Sequence, residues 1–166
     1  MQKFIGKLVA IGFGVLFSII ITEVVGRQLH LVPASLTDAY YTVRDDVGTY
    51  PEPYSYFWWN NVDTQERIWV QFNNASRRDI NLPYDKPENT KRIMFLGDSY
   101  TAGWQVPMNQ TYVAQLRDIA PQAGFQVLNA GFHGWGTDRQ YLYYQSEGYR
   151  YNSDVVVLQI YVGNDV

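Results

Sequence analysis

Ser99 stands where a hydroxyl can do chemistry. It closes Gly97-Asp98-Ser99, directly after the apolar run from Ile93 to Leu96. A short continuous apolar run bounded by charge and by glycine reads as a strand buried on both faces, as in a parallel sheet. The hydroxyl then falls at the carboxyl end of that strand, the rim where ligands bind in open α/β sheets. Gly97 lets the chain turn sharply, and Asp98 can bond its own backbone to support the turn. Taken alone, the tripeptide also has a plainer reading in which Ser99 only caps the next helix. Two later stretches add to it: Ala130 to Thr137, which carries Gly131, Gly134 and Gly136, and Val162-Gly163-Asn164-Asp165. Attack by a serine oxygen on a carbonyl carbon builds negative charge on the carbonyl oxygen. The Ser99 backbone N–H, a glycine N–H from the second stretch and the Asn164 side-chain amide are donors suited to face that charge. Glycine matters there because the main chain must approach substrate without a Cβ in the way.

The elements that must position these groups follow in order. Thr111 to Ala120 places Val113, Leu116 and Ala120 on one face, an amphipathic helix begun by a Thr111 cap and ended by Pro121 and Gly124. Phe125 to Asn129 reads as a second strand. Thr137-Asp138 is expected to cap a helix reaching about Tyr149, with Leu142 turned inward. Val155 to Tyr161 is β-branched and apolar, a third buried strand. Strand, helix, strand, helix, strand is the pattern of a right-handed parallel sheet. Ser99, the glycine loop and Asn164 then share one rim.

With these blocks in order, the chain resembles the SGNH (GDSL-type) hydrolase superfamily. Gly97-Asp98-Ser99 matches its first block, Gly134 corresponds to its lone oxyanion glycine, and Gly163-Asn164-Asp165 matches its third. The resemblance covers residues 92–166, and the anchor with the Pro87-to-Arg92 lead-in is similar to bacterial membrane-tethered members. It implies a three-layer α/β, flavodoxin-like core, of which this chain carries the amino-terminal part. It also implies Ser99 as nucleophile, Gly134 and Asn164 as oxyanion-hole donors, and ester hydrolysis or acyl transfer without a cofactor or metal. The family draws its base from a late Asp-x-x-His block. No such block occurs here, and the expectation is that it lies beyond Val166. Without a base a serine hydroxyl stays protonated and is a poor nucleophile. His30 falls in the stalk, and His133 reads as a loop residue to which the family pattern gives no role. Three strands alone would also leave the last one with a free edge.

Composition narrows the classes. The 166 residues carry a net charge of −3 with no basic stripe, which argues against a nucleic-acid partner. No cysteine is present, so disulfides and thiolate metal sites are excluded. Phe4 to Val25 is apolar apart from Lys7 and Glu23. As a helix it would run about 33 Å, enough for a bilayer core of about 30 Å. No small-x-small cleavage pattern follows, so residues 1–27 read as an uncleaved signal anchor in contact with lipid through residues 4–25. Lys3 and Lys7 place the amino terminus in the cytoplasm and the remainder outside it.

Residues 28–90 read as a stalk or collar with little regular structure, broken by Pro33, Pro51, Pro53, Pro83 and Pro87. Its one clear strand is Ile68 to Phe72. The aromatic stretch Tyr54 to Trp59 reads as core or interface packing, and Arg77-Arg78-Asp79 as a solvated, paired surface turn. Residues 91–166 form the α/β domain. Two functions result: a membrane-anchored serine ester hydrolase acting on an acyl ester, or a catalytically silent accessory subunit whose partners are other membrane proteins.

Overall fold

The computed structural model describes residues 2–28 and 41–163. They fall into two compact units, divided between Ala34 and Ser35. The first unit contains α1, Gln2–Gln28, whose apolar stretch Phe4–Gly26 is long enough to cross a membrane. Its side chains are exposed almost all round, the state expected of a helix whose solvent is lipid.

The second unit is a mixed α/β body. Its centre is a three-stranded parallel sheet of β5 (Lys91–Gly97), β6 (Phe125–Gly131) and β7 (Val155–Leu158), with β5 in the middle. Register pairs Gly97 with Gly131 and Leu96 with Leu158, so all three strands finish at one rim. A one-turn helix α2 (Ser99–Ala102) follows β5, α3 (Tyr112–Ile119) precedes β6, and α4 (Thr137–Ser146) precedes β7. Met94, Leu96, Leu128, Phe132, Trp135 and Tyr143 pack into the main core. Arg92, fully buried at the start of β5, donates to the carbonyl oxygens of Tyr84 and Tyr151, each at 2.7 Å.

Several expectations need correction. The collar holds two antiparallel hairpins, β1 (Tyr41–Arg44) with β2 (Gly48–Pro51) and β3 (Tyr56–Asn60) with β4 (Arg67–Gln71). The second hairpin divides the aromatic stretch by pleat parity. Phe57 joins Ile68, Val70, Phe72, Ala102 and Trp104 in a second core, while Tyr56, Trp58 and Trp69 form an exposed ladder on the other face. In α4 the cap is Gly136 without a side-chain bond, and Gln140 and Tyr143 face inward while Leu142 is exposed. The strand β7 is not buried: Val155, Val156 and Leu158 are 43%, 38% and 46% exposed.

The largest departure is Arg77-Arg78-Asp79. These residues are 0%, 2% and 6% exposed, so the turn points its charges inward. Ser76 before them adopts φ 57°, a left-handed conformation that a non-glycine residue adopts only when its surroundings hold it there. Each charge then meets a different element of the body.

Candidate active site

At the end of β5 the Gly97 carbonyl accepts from the Phe132 N–H at 3.0 Å, tying the two strand exits together. A Cβ on Gly97 would stand 2.7 Å from Thr101 Cβ and 2.8 Å from Gln159 Oε1, so only glycine fits. Asp98, not Ser99, caps α2: its Oδ1 accepts from the Tyr100 N–H at 2.9 Å. The plain capping role for Ser99 is therefore taken by its neighbour. Ser99 occupies the first helical position, half-buried, and its hydroxyl has no hydrogen-bond partner among the described residues. Its backbone N–H is one of the donors that a helix start leaves unpaired. Asp98 is fully buried, and its Oδ2 has no partner among the described residues.

The exit of β6 lies alongside. Gly131 is wedged under α2, where a Cβ would meet the Ala102 N at 2.5 Å. The chain continues through Phe132 and His133 to Gly134, which adopts φ 72° and is open to solvent. That left-handed conformation favours glycine. The Gly134 N–H, like that of Ser99, has no acceptor among the described residues. His133 lies flat against Trp104, with ring centroids 4.3 Å apart and planes at 14°, and Trp59 stands at 6.4 Å. Burial against these indoles pulls the imidazole below its ordinary value, and the Asp98 carboxylate opposes part of that pull.

Asn129 links the two exits. Its Nδ2 donates to the Thr101 carbonyl at 3.0 Å, and its Oδ1 accepts from the Gly131 N–H at 2.9 Å. Its own backbone N–H donates to Asp79 Oδ2 at 2.7 Å, and Asp79 also pairs with Arg117. Burial pushes the Asp79 carboxyl up from its ordinary value, against the pull of Arg117 and two backbone donors. The Thr101 hydroxyl bonds Gln159 Oε1 at 2.9 Å, joining the exit of β7 to α2. Sequence reasoning missed Asn129 and Asp79 in these roles. A polar residue near the end of an apolar strand, two positions before a glycine, was the available signal for Asn129.

The structure thus brings the exits carrying Asp98, Ser99 and Gly134 side by side, while Asn164 lies outside the described residues, as does His30. Among the described residues no group of three His, Asp or Glu side chains is placed to hold a metal ion. A cavity of about 450 Å³, lined by Arg44, Tyr50, Tyr84, Glu147 and Tyr151 among others, includes none of these rim residues. Comparison with protein-family models, with curated proteins and with solved structures finds no match.

Proposed function

We propose that the chain is a membrane-anchored serine ester hydrolase of SGNH type, built on a three-layer, flavodoxin-like core. The observation that carries this reading is that the Ser99 hydroxyl, the Ser99 N–H and the Gly134 N–H, on adjacent strand exits, have no partner among the described residues. Ser99 Oγ attacks the ester carbonyl carbon, and the displaced electron pair collects on the carbonyl oxygen. The Ser99 N–H, the Gly134 N–H and the Asn164 amide stabilise that oxygen. The proton goes to the histidine of an Asp-x-x-His block, as the resemblance implies, and from there to the leaving alcohol. Water then releases the acyl group by the same route reversed. Asp98 holds the turn through its bond to Tyr100. The apolar helix anchors the body, with the amino terminus in the cytoplasm. The test is turnover of p-nitrophenyl acetate by the full-length protein: Ser99→Ala should abolish it, and unchanged turnover would end this reading.

A second reading, a silent accessory subunit of a membrane complex, draws support from the exposed ladder of Tyr56, Trp58 and Trp69. It predicts co-purification with membrane proteins that is lost when residues 4–25 are deleted. A solitary, monodisperse, active protein would contradict it.

A further inference from the structure

A one-turn helix cannot hold itself. Nucleation is unfavourable, and the last carbonyls of any helix have no partner within it. Four residues, Ser99–Ala102, carry the candidate nucleophile on such a helix. Its carboxyl end is met by one side chain from the collar. Arg78 Nη1 donates to the Ala102 carbonyl at 3.2 Å and also to the Gly103 carbonyl, while Nη2 donates to the Val106 carbonyl at 2.7 Å. Gly103, at φ 65°, returns its own N–H to the Ser99 carbonyl at 2.8 Å. A chain of bonds therefore runs from the guanidinium through the cap to Ser99 itself.

We propose that Arg78 is a positioning residue for the Ser99 turn, clamping the carbonyls beyond α2 so that the Ser99 hydroxyl and N–H keep a fixed direction. This rests on the reading of Ser99 as nucleophile. The residue is 2% exposed, and its Nε has no partner among the described residues. Burial brings its value down to about 10, still protonated at neutral pH, and no carboxylate pairs with it among the described residues. A buried cation held by carbonyl oxygens alone among the described residues costs desolvation that an apolar side chain would avoid. What it gains is planar geometry: a rigid fork reaches three carbonyls at once, which a lysine ammonium on its flexible stem cannot reproduce. Asp79, next in the chain, fixes the neighbouring exit through Asn129. Successive residues of one inward turn thus set both edges of the site.

Arg77 supplies the matched control. It is as deeply buried, but its guanidinium lies 4.3 Å from the Tyr151 ring and 3.4 Å from the Tyr143 hydroxyl, with no bond to the Ser99 turn. Full-length protein carrying Arg78→Lys, Arg77→Lys or Ser99→Ala should be compared by hydrogen exchange and by p-nitrophenyl acetate turnover. Arg78→Lys should speed exchange across residues 99–106 while leaving β6 protected, and lower kcat by about 10-fold or more with KM nearly unchanged. Arg77→Lys should leave both the exchange of 99–106 and kcat within about twofold, whatever its effect on stability. Should Arg78→Lys prevent folding, Arg78→Ala supplied with millimolar guanidinium ion takes its place, and recovery of kcat with added ion is the expected result. The proposal is overturned if Arg78 and Arg77 variants lose activity only in proportion to folded fraction, if exchange of 99–106 is unaltered, or if guanidinium restores nothing. If Ser99→Ala keeps full turnover, the hydrolase reading fails, and the exchange experiment still decides whether Arg78 clamps the turn.

Discussion

Charged side chains do as much as apolar ones to place the groups at this rim. Asp79 illustrates the cost of losing one. Its carboxylate satisfies the Asn129 N–H and pairs with Arg117, so Asp79→Ala leaves a buried donor without its acceptor and a partly buried cation with only its 3.4 Å bond to the Val127 carbonyl among the described residues. The expected loss is about 3 kcal/mol, read as a shift of the urea midpoint. His133 gives the stability a pH dependence whose expected sign follows from its surroundings. The groups facing it are Trp104, Trp59 and the Asp98 carboxylate, and the folded state favours the neutral ring. The unfolded chain therefore takes up the proton first as pH falls. This contribution to stability is whole above the ordinary value of 6.5 and is lost as pH drops toward the lower folded value. Between about pH 7.5 and about pH 5, wild type should lose more stability than His133→Gln, measured by urea unfolding. An equal loss would place His133 away from any burial effect.

At the scale of elements, the glycines under α2 and the helix caps decide whether the rim forms. Gly131→Ala would drive a Cβ to 2.5 Å from the Ala102 N, a backbone atom that cannot swing aside. Overpacking of that kind should cost about 1–3 kcal/mol and lower Ser99 reactivity together with stability. Thr111, whose hydroxyl accepts from the Ala114 N–H at 3.3 Å, should lose about 1 kcal/mol on change to alanine. Thermal unfolding of both variants checks these values. The parallel strands β5 and β7 were legible because continuous apolar runs beside charge have few other meanings, and β6 because its apolar residues run on from the helix stop at Pro121 and Gly124. The hairpin strand β3 was not, because Tyr56 to Trp59 is aromatic on both faces and shows no polar alternation. Leu142 misled for a related reason: an aromatic-rich helix buries Tyr143 and Gln140 where an aliphatic residue was expected. The inward turn of Arg77 to Asp79 was illegible in principle, since nothing local distinguishes charges that will find buried carbonyls from charges that meet water. Ser99 and Gly134 were identified as a pattern, and their placement on adjacent exits came from the Gly97–Gly131 register.

Across the whole chain, an apolar helix long enough to cross a membrane accompanies a mixed α/β body, and the proposed hydrolase assigns location to the first and chemistry to the second. Residues 1–166 hold no cysteine, so a thiol introduced among them has no competitor within this stretch. In intact cells a membrane-impermeant maleimide should label Asn109→Cys on the body and spare Gln2→Cys, as an amino terminus inside the cytoplasm requires. The reverse pattern would invert the proposed topology. The account stands or falls on the reactivity of one oxygen. Full-length protein treated with a fluorophosphonate and analysed by peptide mass mapping should carry a single adduct on Ser99, absent from Ser99→Ala. An unmodified Ser99, or an adduct on another residue, would contradict the assignment of this rim as an acyl-transfer site.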